Sequence, residues 1–451
     1  MAGGLLFAST AFTAPALADD NDIWHRDTLT GDWGGARTML DNHGIDITGV
    51  YTGEGWANAS GGMKRGATYN GRAELSIDAD LDKLMGWGGG SFHVTGYQIH
   101  RANGGVGSNF TGSIGDPSNI EARPSTRLFT LWVQQNLFED KLSVRIGQLA
   151  ADDEFAISPT AGNLLNGTFG WPDLMAANLV NGGPAYPLAT PGVRVQVNPT
   201  PELSILAAAF SGNPAGHNCD DDPQICDRHG TKFSMSGGTL WIAEAQYAIN
   251  QGDNATGLPG VYKLGAWYQN APFADQKFGY DGTGTRVTLA SGQATDPDNH
   301  SGDQGLYAIA DQTFWRSSDK AQSLAGFVRM GGAPSDRNLI SFYVDGGLGY
   351  TGLIPGRNED VLTLGVAYQK ISKDAASFDK EVRLDDLGYP VRDQETVIEL
   401  SYLAPVTPWL SMQPDLQYIV HPGGNVQNPE NTNLDTANNA FVLGLRTTIT
   451  F

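Results

Sequence analysis

Long hydrophobic runs are nearly missing from this 451-residue chain. Leu5 to Ala18 is apolar but too short to span a bilayer, and no later run approaches the ~18 residues a transmembrane helix needs. Positive charge is scarce as well: 28 Lys and Arg stand against 49 Asp and Glu, a formal net charge of −21. That balance argues against a nucleic-acid partner, because phosphates call for a basic surface. Enzyme signatures are lacking: there is no H-E-x-x-H, no P-loop and no G-x-S-x-G elbow. "GLGYTG" (347–352) matches G-x-G-x-x-G, but Ile354-Pro355-Gly356 follows where a phosphate-binding helix would start. The eight histidines are scattered, none spaced as a metal pair. No cofactor is expected.

Cysteine is almost absent too. Cys219 and Cys226 lie in "HNCDDDPQICDRHG", a polar stretch without hydrophobic period. In an oxidising compartment two such neighbours most simply form a loop-pinning disulfide. A metal site, with His217, Asp220 to Asp222 and His229 around them, is the alternative, although no paired C-x-x-C spacing supports it. Export is indicated at the other end of the chain. Ala16-Leu17-Ala18 is a small-x-small cleavage site behind the apolar stretch, so residues 1–18 read as a signal peptide and Asp19 as the mature start. The usual basic n-region is missing, and a truncated start is expected. Export without a membrane helix leaves the periplasm, the exterior or the outer membrane.

What the chain does have is alternation. About sixteen period-2 segments can be traced between 46 and 451. In the cleanest, Ala73, Leu75, Ile77, Ala79 and Leu81 share one face, with Arg72, Glu74, Ser76, Asp78 and Asp80 on the other. Leu142, Val144 and Ile146 similarly oppose Ser143, Arg145 and Gly147. Pro414 interrupts one segment, because it cannot donate to a ladder, and a bulge is expected there. A soluble sandwich would alternate as well, so the connectors decide. Short ones (138–141, 199–202, 404–408) take turns with long ones (102–126, 150–192, 211–238, 271–303, 372–394, 421–439). Tight turns at one end and long loops at the other make an all-β, antiparallel transmembrane barrel of about sixteen strands. The last segment, "FVLGLRTTITF", ends on Phe451. In a closed barrel that strand pairs with the first, and its final aromatic fits an interfacial girdle. Before the barrel, Asp32 can cap a short helix reaching Asn42 and ended by Gly44. The expected organisation is therefore signal peptide 1–18, an N-terminal periplasmic segment 19–45, and a barrel 46–451 with a constriction loop at about 150–192.

Several blocks carry a family likeness. "GDWGGARTMLDNHGI" (31–45), "LSVRIGQLAADDEF" (142–155), "GLIPGRNEDVLTLGVAYQKIS" (352–372), "PWLSMQPDLQYIVHPGG" (408–424) and the cysteine loop running into "DRHGTKF" resemble the carbohydrate-selective porins, the OprB family. The resemblance implies a sixteen-stranded outer-membrane barrel that passes sugars, glucose in particular, by facilitated diffusion. It also implies outer-membrane lipid, lipopolysaccharide and the barrel-assembly machinery as surroundings and partners; assembly machinery of this kind reads a C-terminal aromatic such as Phe451. The oligomer is left open between monomer and homotrimer. A general or ion-selective porin is the alternative cargo reading, and an outer-membrane hydrolase a more distant one.

A sugar pore needs a constriction that strips some water and offers replacement hydrogen bonds. Parity places Arg72, Glu74, Trp132, Arg145 and Glu244 on the lumen face. The loop at 150–192 is the one expected to fold inward, bringing Asp152, Asp153 and Trp171. Arg72 and Arg145 are the expected donors to sugar hydroxyls, Glu74 and Glu244 the acceptors, and Trp132 or Trp171 the stacking surface. The competing expectation is that Arg72, Glu74, Arg145 and Asp152 form a structural ladder across the wall.

Overall fold

The computed structural model describes residues 22–252, 255–430 and 435–451. The expected signal peptide lies outside them. The first nine strands are β1 (Ile45–Gly62), β2 (Gly66–Asp80), β3 (Gly90–Ala102), β4 (Ser125–Leu137), β5 (Leu142–Leu149), β6 (Thr190–Val197), β7 (Leu203–Ser211), β8 (Thr239–Ile249) and β9 (Gly260–Tyr280). The rest are β10 (Arg286–Thr288), β11 (Asp296–Arg316), β12 (Ser323–Gly332), β13 (Ile340–Thr351), β14 (Val361–Ile371), β15 (Gln394–Thr407), β16 (Leu410–Val420) and β17 (Asn438–Thr450). Sixteen of them form the wall; β10 is a three-residue strand on the projecting end of β9.

All pairings are antiparallel, and β17 closes the sheet on β1, from Val50↔Thr450 to Gly62↔Asn438. Closure leaves no edge to expose backbone donors to lipid. The outer face is apolar and uncovered: Leu264 and Leu306 are each 65% exposed, Ile146 59% and Leu75 55%. In water that band would be unfavourable; against acyl chains it is what a barrel wall requires. Phe451 donates its N–H to Gly49 and its carbonyl accepts from Arg37 at 2.8 Å, so the N-terminal segment packs at the short-turn end. That segment contains the expected helix, Ala36–Asn42, with Gly44 following at φ +84°.

Two expectations about the wall are corrected. Pro414 introduces no bulge: Ser401↔Asp415 and Ala404↔Met412 keep one register, and the ladder with β15 simply skips the proline. The register shift falls nearer the turn, between Pro405 and Thr407. The stretch 271–303 is not mainly loop. β9 and β11 each run for 21 residues and rise as a projecting hairpin. Above the bilayer neither face meets lipid, so residues such as Pro272, Asp275, Asp298 and His300 carry no hydrophobic alternation to reveal the strands.

The chain leaves the wall after Leu149 and folds into the lumen as a series of single turns before returning at Thr190. Its apolar residues, Leu164, Leu165, Phe169 and Leu174, are each 1% exposed and pack on the inner wall with Tyr343, Ala367 and Val397. Glycine makes the floor for this contact. A Cβ at Gly365 would sit 2.4 Å from Leu164, and one at Gly331 2.5 Å from Leu174. The connector between β3 and β4 also turns inward, joined to the lumen loop by Asn119 N–H to Leu165 and Gly167 N–H to Asp116.

Candidate pore constriction

Inward-facing residues fall into two groups by access. On β8, β9 and β12 to β16 they are sealed: Glu244, Gln269, Arg329, Asp345, Glu395 and Glu399 are all 2% exposed or less. On β2 and β5 they remain reachable, with side chains 20% (Arg72), 23% (Glu74) and 15% (Arg145) exposed. The lumen loop therefore fills one side of the barrel and leaves a passage along β2 to β5.

The sealed side chains hold the loop. Arg329, ion-paired with Asp345, donates to the loop carbonyls of Ala156 and Thr168 at 3.0 Å and Gly170 at 3.1 Å. Glu399 accepts the N–H groups of Leu165 and Asn166. Glu395 does the same for Ile114, Gly115 and Gly423. A buried carboxylate that accepts several backbone N–H groups satisfies donors the loop could not pair by itself.

On the open side the groups form a chain. Arg72 pairs with Glu74 at 3.1 Å, and its guanidinium carbon lies 4.8 Å from the Tyr97 ring centroid and 5.3 Å from that of Tyr186. Asp78 meets His93 at 2.7 Å, and His93 stacks on Trp132 with centroids 4.9 Å apart. Arg145 covers Trp132 from the neighbouring strand at 3.9 Å and reaches Glu154 at 3.5 Å. Glu154 is held bidentate by Arg194, at 2.8 and 2.9 Å, and Arg194 is itself 2% exposed. The first loop turn, Ala151–Asp153, brings Asp152 and Asp153 to this side. Burial pushes the Asp152 carboxyl up to about 6, against the Tyr186 N–H it accepts at 2.9 Å. Asp153 is exposed.

The structure thus brings Arg72, Glu74, Arg145, Asp152 and Asp153 to one passage and corrects three other positions. Glu244 is 1% exposed and is occupied by Ala156 N–H at 2.9 Å and the Tyr307 hydroxyl at 2.7 Å, so it fastens the loop. Trp171 is 8% exposed, packs with Phe155 and Met175, and donates its indole N–H to Gly182. Trp132 does face the lumen, but His93 from β3 and Arg145 from β5 cover its ring from either side. None of the three offers a ring face or a free acceptor to a passing solute. Sequence reasoning placed Glu154 in the inward loop without a role of its own and missed Arg194, Tyr97 and Tyr186 as members of the site. Parity in "VRVQV" could have found Arg194, and the acid run 152–154 contained Glu154. Nothing in the irregular loop pointed to Tyr186.

The geometry meets independent likenesses. The family model "Carbohydrate-selective porin, OprB family" matches residues 64–451. Porin B of Pseudomonas aeruginosa is 28% identical over 467 aligned positions, covering 98% of this chain and 94% of its own length. A putative porin, QuiX, of Acinetobacter baylyi is 25% identical, covering 93% and 94%. The high-pH structure of Pseudomonas putida OprB superposes with a TM-score of 0.82 at 26% identity, covering 95% of this chain and 99% of that one. With a closed sixteen-stranded wall, a loop seated in its lumen and a family match over most of its length, this chain belongs to the OprB family of carbohydrate-selective porins of the outer membrane.

Proposed function

We propose that the channel carries monosaccharides such as glucose by facilitated diffusion, with Arg72 and Arg145 donating to hydroxyls and Glu74, Asp153 and the Glu154 carboxylate accepting. The observation that supports it is partial exposure of paired charges: Arg72, Glu74, Arg145 and Glu154 are 15–23% exposed, each with a partner. A sugar hydroxyl is both donor and acceptor. It can insert beside a guanidinium–carboxylate pair and replace hydration water without leaving either charge bare. Weak, repeated contacts of this kind let a neutral polyol in and also release it. A solute carrying net charge disturbs the same pairs.

The test is liposome swelling with glucose, a disaccharide and an amino acid of similar size. Faster swelling with glucose than with both others is expected, and Arg72→Ala with Arg145→Ala should slow glucose selectively. Equal rates for all three would reduce the protein to a general porin, and no swelling would revive the hydrolase reading.

A further inference from the structure

The disulfide loop between β7 and β8 forms no part of the wall, yet its contacts lead into the passage. Because β5 leaves the wall at Leu149, its last pair with β4 is Leu131↔Gln148, and β4 above that point loses its neighbour. The residues after the second cysteine take the vacant place. Leu128 donates its N–H to the carbonyl of His229, Arg127 to that of Asp227, and Gln148 to that of Gly230. Glycine is required at 230, where φ is +64° and a Cβ would strike the Leu128 carbonyl.

Upstream of these bonds the loop is polar, with His217, Asn218, Asp220 and Asp221 exposed. Burial cannot fix its shape there, and the Cys219–Cys226 bond supplies the restraint by closing a ring over a sequence separation of 7. Two side chains of the ring form one receptor for Arg123. The Asp222 carboxylate accepts its Nε–H at 2.6 Å, and the Gln224 side-chain oxygen accepts its backbone N–H at 2.7 Å. Asp222 also accepts the Gln224 N–H at 2.8 Å, which fixes the two acceptors relative to each other. Arg123 belongs to the connector between β3 and β4, which has neither helix nor strand from 117 to 124. Three residues earlier, the Ile120 carbonyl accepts the Tyr186 hydroxyl at 3.0 Å, and Ala122 packs in one cluster with Tyr97, Phe129 and Tyr186. Tyr186 in turn donates its N–H to Asp152 and carries the Arg72 guanidinium over its ring, beside Glu74.

We infer that the Cys219–Cys226 ring is a positioning element of the sugar passage. Through Arg123 and Ile120 it fixes Tyr186, and through Tyr186 it fixes the Arg72–Glu74 pair. Neither cysteine nor Arg123 touches the solute. Contacts as weak as those to a passing sugar need their donors and acceptors held to within about 0.5 Å, and an irregular connector released from the ring lets Tyr186 shift. The inference rests on the proposed contact of Arg72 and Glu74 with sugar.

Block of ion current by glucose, through the full-length channel in planar bilayers, tests it, because the concentration dependence gives a dissociation constant. A phosphine reductant added after insertion should raise that constant about threefold. Adding it to the inserted channel keeps folding out of the comparison, and mass labelling of both thiols confirms that the bond is open. Arg123→Ala should have the same effect with the disulfide intact, and reducing that variant should add nothing, because both changes act through one path. Unchanged glucose affinity on reduction, even with faster proteolysis of the 212–238 loop, would leave the disulfide a structural brace and overturn the inference. Full additivity of the two changes would overturn it too. If glucose fails to block the oxidised wild type, the sugar reading of Arg72 and Glu74 falls by itself. The reversal potential in a salt gradient then reads the same pair, and a value unmoved by reduction overturns the positioning role as well.

Discussion

Arg329→Leu should open this channel without unfolding its barrel. The guanidinium makes three hydrogen bonds to carbonyls of the lumen loop (Ala156, Thr168 and Gly170). A hydrogen bond with one charged partner contributes about 1.5–3 kcal/mol. The lower bound is appropriate where water can enter behind the loop, so the three together give about 4–5 kcal/mol. Asp345 would be left buried without its partner, which adds to the penalty of the closed state. A shift of about 4.2 kcal/mol is about 1000-fold in the local equilibrium, enough to loosen the 167–170 turn that Arg329 holds. The loop stays tied at Glu399, Glu244 and Asn178. The wall keeps every ladder, because side chains alone are changed. Planar-bilayer recordings should show larger, noisier single-channel conductance, and swelling assays should admit a disaccharide that the wild type slows. Unchanged conductance together with unchanged exclusion of the disaccharide would refute the idea that Arg329 latches the loop.

Three further outcomes follow from the same geometry. Arg145→Ala removes a donor that is 15% exposed to the passage and uncovers one face of Trp132; glucose flux should fall by roughly tenfold, equivalent to ~1.4 kcal/mol, as read by swelling. Glu154→Gln takes the shared carboxylate from Arg145 and Arg194, so reversal-potential measurements in a salt gradient should move toward anion preference. An unchanged reversal potential would mean that Glu154 does not set the local field. Trp171→Ala should act through packing: losing a buried Trp from the core formed with Phe155 and Met175 costs about 3–5 kcal/mol, so protease nicking of the lumen loop should rise while the binding affinity for sugar in the intact channel stays the same. A selective loss of sugar affinity would restore the stacking role that its burial argues against.

How far the sequence reveals this protein depends on which solvent each face meets. Lipid imposes a rule on the outside: every second residue of a wall strand must be apolar, so Leu75, Ile146, Leu264 and Leu306 write the barrel into the sequence directly. The inside has no such rule. Parity places Arg145 and Glu244 on the same face, yet one is 15% exposed to the passage and the other lies sealed beneath a loop. The difference is made by the 150–189 segment, whose single turns carry no period and whose seat depends on absent side chains at Gly331 and Gly365. On β8, Leu240 and Ile242 face inward at 1% and 3% exposure because that loop covers them, and a strand apolar on both faces looks the same as one buried in a soluble core. The same loop decides the role of each charge. Where it lies against the wall, carboxylates such as Glu244 and Glu399 are used up on its N–H groups; where it stands away from β2 to β5, Arg72, Glu74 and Arg145 keep some capacity for a solute. If these pairs select the cargo as we propose, selectivity depends on where one irregular segment sits, and a mutation that moves the segment should change cargo more than one that alters any single pore-facing residue.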